Sequence, residues 1–220
     1  MRAHVVITAG GTSEAIDSVR CISNISSGRL ATALAYRLLD RWDVKVSFVH
    51  GRGSLRPDAA LPNLIRYETG DVASLIQCLT PLLDTASVLV HAMAVSDFYV
   101  PARAGKISSS HKALTLPLKA NPKVIDLIRR RHAGLPLFAF KLESGLRPAA
   151  LNGKALALKE RVGAQAVVAN QIQGIGVFYH HGRILFDDRH VSFYSKADCA
   201  RKLADAIMEV VNEGKYSGRH

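Results

Sequence analysis

The chain has 220 residues, 48% of them hydrophobic and 21% charged, with a formal net charge of +11. This is the composition of a soluble globular protein of one ordinary domain with a sizeable core, and no apolar run approaches the roughly 20 residues that span a bilayer. Three widely spaced cysteines, Cys21, Cys78 and Cys199, read as reduced cytoplasmic thiols and exclude a disulfide set or a zinc site.

The charge makes nucleic acid the first partner to consider. The basic residues are scattered, however. Their densest cluster, Arg129-Arg130-Arg131 with His132, closes a predicted helix, where cations suit the dipole. Attraction of small multi-anionic ligands explains the excess equally well. Neither nucleic acid nor a membrane is an expected partner.

The first predicted strand, residues 4–8, runs straight into Ala9, Gly10, Gly11 and Thr12. A polar stretch, Ser23-Asn24-Ile25-Ser26-Ser27-Gly28, then leads into a helix pattern over residues 30–39. Strand, glycine turn and helix start together put backbone N–H groups where a phosphate can sit. The pattern is neither the G-x-G-x-x-G fingerprint nor a P-loop. Short apolar strands follow at 44–49, 64–67, 88–92, 137–140 and 166–169, as in a sheet covered on both faces. Helix patterns fall at 72–83, 122–131, 149–162 and 196–211; Asp71 and Ser195 suit N-caps, and Pro122 suits a first turn. This alternation predicts a doubly wound α/β fold with a mostly parallel, Rossmann-like sheet. It is broken by a flap loop at 99–119, whose end at 113–118 alternates like a strand. A second break is a late hairpin at 174–194, with a turn at His180-His181-Gly182, which is a candidate arm or dimer contact. The whole of 1–220 reads as a single domain, frayed from 214 onward.

The Gly10-Gly11-Thr12 turn serves either tight turning or anion binding at the carboxyl end of a strand. Asn24 offers an amide that can orient an acyl or oxyanion group, or it closes an Asx-turn. Asp97 follows a buried strand and can hold a ribose, a base amine or a metal, or cap a turn. Lys106, after Gly105, can close over phosphates or stay solvated. Lys141, at a strand end, can face the same crevice, whereas Lys154 and Lys159 fall on a helix pattern and are expected in solvent. No G-x-S-x-G elbow or catalytic cysteine signature occurs, and His180-His181 lacks the spacing of a metal site.

Taken in order, TAGGTSEAIDSVRCISNISSGRL, HAMAVSDF, GKISSS, LPLKANPKVI, FAFKLESG and VVAN resemble the phosphopantothenate–cysteine ligase family. The flavin-dependent decarboxylase domain fused in many bacterial members is not seen, and the KISS and FKLE forms resemble the stand-alone ligases. The resemblance implies a homodimeric, cytoplasmic enzyme of coenzyme A synthesis. It would use CTP or ATP, with Mg2+, to convert 4'-phosphopantothenate into an acyl-nucleotide, which cysteine then attacks. It implies that Gly10, Gly11 and Thr12 cradle the nucleotide phosphates and that Asp97 and Phe140 lie near base and ribose. Lys106 and Lys154 would contact the nucleotide, Asn24 would handle the acyl intermediate, and Arg20 and Ala94 would meet the acid; Asn24 and Lys106 are the expected catalytic residues. Metal ligands are not assigned. Ala31, where the family often has glycine, Ala15, where it often has proline, and Ser108 and Ser109, where lysine is common, depart from the pattern. They keep two alternatives open: a relative joining a different acid or amine, and a non-catalytic nucleotide-binding subunit.

Overall fold

The computed structural model describes residues 2–102, 104–110 and 112–217. Strand β1 (Ala3–Ala9) is buried along its whole length. It sits mid-sheet, and its alternating side chains feed two cores, Val5 and Ile7 one and Val6 the other. A small hairpin follows, β2 (Ser13–Ala15) with β3 (Cys21–Ser23). Helix α1 (Arg29–Arg41) buries Ala31, Leu34, Ala35 and Leu38, at the spacing of one helical face. β4 (Val44–Gly51) and β5 (Leu64–Thr69) are joined without a helix, and α2 (Val72–Leu83) starts where the Asp71 carboxylate accepts the Ser74 N–H at 2.8 Å. Then come β6 (Val88–His91), the two-residue strands β7 (Phe98–Tyr99) and β8 (Lys119–Ala120), α3 (Val124–Arg131), β9 (Leu137–Glu143) and α4 (Pro148–Val162). The chain ends with β10 (Ala166–Ile175), β11 (His180–Leu185), β12 (His190–Phe193) and α5 (Lys196–Ser217).

Among the described residues, eight strands form one sheet in the order β12-β11-β10-β9-β6-β1-β4-β5. The six from β5 to β10 are parallel. Numbered by appearance they run 3-2-1-4-5-6, the order of dinucleotide-binding sheets. Helices α1 and α5 contribute to the core on one face, and α2, α3 and α4 to the core on the other. The doubly wound, mostly parallel sheet expected from the sequence is the one observed.

The differences have local causes. His180-His181-Gly182 is not a turn but the start of β11; the chain reverses at residues 176–179, where the Gly176 N–H donates to the Tyr179 carbonyl at 2.9 Å. A Cβ on Gly176 would lie 2.4 Å from the Tyr179 ring, so a side chain there would have to move that ring. The late hairpin therefore continues the main sheet, with β11 and β12 antiparallel along its edge. Pro122 precedes α3 because Asn121 ties the segment down in extended form, its N–H bonded to the Asp97 carbonyl and its side-chain amide to the Ser96 carbonyl. Residues 113–118 form no strand: Leu114 and Leu118 are exposed, and pairing begins only at β8. Helix α5 continues through Ser217 instead of fraying from 214; residues 218–220 of that expectation, and Arg103 and His111 of the flap, lie outside the described residues.

Candidate active site

Between β1 and β6 the strand order reverses, and a crevice opens beyond their carboxyl ends. The two strands stay in register past the sheet through a Gly11–Ala94 bridge. The Ala94 N–H donates to the Gly10 carbonyl at 2.8 Å, and the Thr12 N–H donates to the Ala94 carbonyl at 3.2 Å. Both glycines are sterically required. Gly10 has φ +76° and would put a Cβ 1.7 Å from the Ser54 hydroxyl, while a Cβ on Gly11 would lie 2.3 Å from the Asn24 carbonyl oxygen. The Thr12 hydroxyl donates to Ser96 Oγ at 2.9 Å and accepts the Ser96 N–H at 2.8 Å. Its fully buried side chain stitches the two strand ends and does not line the crevice.

The crevice is a cavity of about 550 Å³. Its walls are Gly10, the segment 25–31 into α1, residues 91–97 after β6, the start of α3, the end of β9, and Asn170, Ile175, His180 and Lys196. Helix α1 presents its N-terminus here without a side-chain cap, because its N-cap is Gly28, at φ +72°. No acidic residue occupies its first turn, so the positive end of the dipole is left for a ligand. Four cations line the cavity (Arg29, Lys123, Lys141 and Lys196) against one carboxylate, Asp97, which Lys123 holds at 2.5 Å. This balance draws anions.

The expected site residues converge only in part. Gly10, Ala94, Asp97 and Phe140 line the cavity. Asn24 is exposed immediately before the lining segment, and its side-chain amide donates to the Val95 carbonyl at 3.0 Å. Lys154 lies outside the lining, paired with Glu143 at 3.1 Å; Glu143 also holds Lys141 at 3.0 Å. These two lysines keep the Glu143 carboxyl below its ordinary pKa. Arg20 does not face the cavity: its guanidinium donates to Asp17 at 2.9 Å and to the Ile107 carbonyl at 3.2 Å. Lys106 is exposed and outside the lining. Lys159, expected in solvent, is instead buried on α4 and paired with Asp187.

Besides the cations Arg29, Lys123 and Lys196, the lining residues without a site role from the sequence include His91, His180 and Asn170. His91 is buried beside the Thr8 hydroxyl at 3.0 Å, and burial pushes its pKa down to about 4. His180 is also pushed down to about 4, by burial first and then by the charge of Lys196 and by His181. The Asn170 amide donates to its Nε2 at 2.7 Å, and its ring stands edge-on to Phe193. The available signals were the strand-end position of His91 and the VVAN motif carrying Asn170; misplacing the hairpin turn hid His180.

The sequence pattern of the DNA/pantothenate metabolism flavoprotein C-terminal domain family matches residues 1–211. The chain belongs to this family. Among its relatives is the Coenzyme A biosynthesis bifunctional protein CoaBC of Thermococcus kodakarensis, 34% identical over 78% of this chain and 42% of that protein. The CoaBC of Bacillus subtilis is 28% identical over 98% of this chain and 52% of that protein. The chain thus spans about half the length of the curated relatives it matches. The crystal structure of the DNA/pantothenate metabolism flavoprotein from Streptococcus pneumoniae superposes with a TM-score of 0.87 at 27% identity, covering 94% of this chain and 99% of that one. A Cab2 mutant solved in complex with phosphopantothenate-cysteine shares the fold, with a TM-score of 0.79 at 20% identity over 99% of this chain and 89% of that one. The family membership agrees with the ligase resemblance carried by the motifs.

Proposed function

We propose that this chain joins 4'-phosphopantothenate to cysteine in a nucleotide-dependent reaction of coenzyme A synthesis. The observation that carries the reading is the cavity at the strand-order reversal. There an uncapped helix start and four cations meet one carboxylate, with the Asn24 amide beside the lining, in a chain whose relatives are CoaBC proteins.

The chemistry follows from the charges. A carboxylate is a poor acyl donor until one of its oxygens leaves as part of a phosphate ester. In the first step the phosphopantothenate carboxylate attacks the α-phosphate of CTP or ATP, giving an acyl-nucleotide and pyrophosphate. In the second the cysteine amine attacks the acyl carbon, the nucleotide monophosphate leaves, and the amine loses a proton. Two anions must meet, so amides and cations have to converge on them. The amides of α1 and the glycine turn take the phosphates, Asp97 and Phe140 take base and ribose, and Ala94 and Asn24 border the acyl group. Thr12 acts only through the shape of the turn. Lys154 reaches a phosphate only by exchanging Glu143 for it. Among the described residues no group of three or more His, Cys, Asp or Glu side chains is placed to hold a metal. Magnesium carried mainly by substrate phosphates needs few protein ligands, and Asp97, the one carboxylate among the described lining residues, is assigned here to base and ribose. Bound with the phosphates, such an ion would neutralise part of their charge.

The test is pyrophosphate release by the purified chain with phosphopantothenate, CTP or ATP, and a panel of amino acids. Release with phosphopantothenate, and amide formation with cysteine alone, is expected. Release only with another acid makes the chain a ligase of different substrate; no release with any pair removes the enzyme reading.

A further inference from the structure

The side chain of Asp17 is fully buried, although it lies in the small β2–β3 hairpin, outside the main sheet. Its two oxygens divide the work. Oδ1 accepts the N–H groups of Val19 at 2.9 Å and Arg20 at 2.8 Å, which closes the hairpin turn. Oδ2 accepts the Arg20 guanidinium at 2.9 Å and the N–H of Ile107 at 3.0 Å, ninety residues further along the chain. Two more bonds run beside it: the Ser18 N–H donates to the Gly105 carbonyl at 3.1 Å, and Arg20 donates to the Ile107 carbonyl at 3.2 Å. The residues on either side of Lys106 are therefore both fastened to the hairpin. The side chain of Ile107 adds an apolar contact, lining a hollow of about 150 Å³ with Ile16, Val100 and Leu116.

We propose that Asp17 is the positioning residue of Lys106: its carboxylate fixes the backbone of residues 105–107 on the β2–β3 hairpin, so that the lysine is presented from an anchored platform. A role of Lys106 toward the phosphates is what the ligase resemblance implies, so this part rests on the proposed ligase function. The same hairpin runs directly into Asn24, so one buried carboxylate ties the lysine segment to the strand that leads to the acyl-handling amide. A charged acceptor suits four donors, because bonds to an ionised group are roughly twice as strong as neutral ones. The donors, Val19 first and then Ile107 and Arg20, outweigh burial and hold the carboxyl below its ordinary pKa.

Asp17→Asn separates the two functions of the side chain. The amide oxygen still accepts Val19 and Arg20, so the turn survives. The amide NH2 takes the place of Oδ2 and meets the Ile107 N–H donor to donor. Trypsin cleavage after Lys106 in the folded protein is expected to rise at least ten-fold over the wild type. Arg20→Gln, which removes the guanidinium bonds but leaves the buried carboxylate, is expected to raise it by a smaller factor, and keeps the test open should Asp17→Asn not fold. Unchanged cleavage in the variants that fold overturns the proposal without any reference to activity. With pyrophosphate release as a second readout, Asp17→Asn is expected to lower kcat more than it raises KM, and Asp17→Asn with Lys106→Gln to be no worse than Lys106→Gln alone. Fully additive losses also overturn it. A wild type without ligase activity that still shows the cleavage change sinks the ligase reading and leaves the anchoring role in place.

Discussion

The Asn170 side-chain amide donates to Nε2 of His180 at 2.7 Å, and both residues are buried on the wall of the cavity. Nδ1 of the same ring has no partner among the described residues. The pair is thus a neutral polar unit that leaves one buried nitrogen unsatisfied. His180→Phe keeps the contact with Phe193 but orphans the Asn170 amide, at a cost of about 1–3 kcal/mol. His180→Phe with Asn170→Leu, which removes both partners, is expected to cost less than the sum of the two single changes. Urea unfolding of the four proteins measures this coupling; strict additivity would show that the two side chains do not depend on each other.

The buried histidines set how stability responds to acid. His91 and His180 have folded-state pKa values of about 4, against an ordinary value of 6.5, chiefly because burial disfavours the charged ring. As pH falls through 6.5 the unfolded chain takes up protons that the folded chain refuses until about 4. Their contribution is therefore complete above 6.5 and is lost on the way down to 4, by up to roughly 3 kcal/mol for each ring at 1.36 kcal/mol per pKa unit. Urea midpoints at pH 7, 5.5 and 4.5 are expected to fall in that order, and His91→Asn to flatten the slope. A flat profile in the wild type contradicts the assignment.

The parallel sheet was legible because its strands are short continuous apolar runs and its helices carry clear periodicity; residues 72–83 were read with both bounds correct. The glycine turn and the α1 start were legible because glycine is sterically needed at Gly10, Gly11 and Gly28. What escaped depended on long-range pairing. Arg20 is expected at the acid through the resemblance, and its bond to Asp17 was not legible because that carboxylate is also held by the Ile107 N–H ninety residues away. His180 looked like turn chemistry because adjacent histidines carry no periodic signal, and only the pairing of β10 with β11 places it inside. Lys159 looked solvated because its partner, Asp187, lies in the following hairpin.

Asn24 is held where its amide donates to the Val95 carbonyl, and its backbone oxygen rests against Gly11. Asn24→Asp sets a carboxylate against a carbonyl and beside a developing anion. Because the residue is exposed, the fold is expected to persist and nucleotide activation to continue, while amide formation falls by the roughly 2.7–4 kcal/mol typical of one lost oxyanion donor. Single-turnover detection of the acyl-nucleotide checks this; full turnover would leave Asn24 a turn residue. Gly11→Ala tests the support independently: its Cβ must displace the Asn24 backbone, so amide formation falls although no reacting group has changed.

The end of β10 and the turn after it expose Ile172, Val177 and Phe178, the last at 93%, and Tyr194 adds to the apolar surface beside the edge strand β12. An uncovered edge with apolar neighbours is a surface that pairs. Homo-oligomers are most often two-fold dimers, so a homodimer through this edge is expected. Sedimentation at micromolar concentration is expected to give twice the 23.8 kDa chain mass, and Phe178→Asp with Val177→Asp to give the monomer. A single 23.8 kDa species in the wild type contradicts the dimer; a dimer that survives both substitutions moves the interface elsewhere.

Lys106 is exposed and has no hydrogen bond or ion pair among the described residues, yet the chain on both sides of it is anchored. Ile107 and Leu116 are half-buried beside it and give the loop apolar anchors. A lysine that stabilises nothing in the empty protein, on a backbone held in place, is free to spend its charge on a ligand. In a site from which water is excluded that charge counts for more than at the surface. Lys106→Gln is expected to leave the melting temperature nearly unchanged, since surface substitutions stay within about 0.5 kcal/mol. It is expected to lower pyrophosphate formation by roughly 100- to 1,000-fold, the loss seen when one preorganised donor is removed. Nucleotide is expected to slow trypsin cleavage after Lys106 in the wild type, because a lysine engaged with phosphate cannot enter the protease pocket. Normal turnover by Lys106→Gln, together with equal cleavage with and without nucleotide, would leave Lys106 a solvated side chain on a well-built loop.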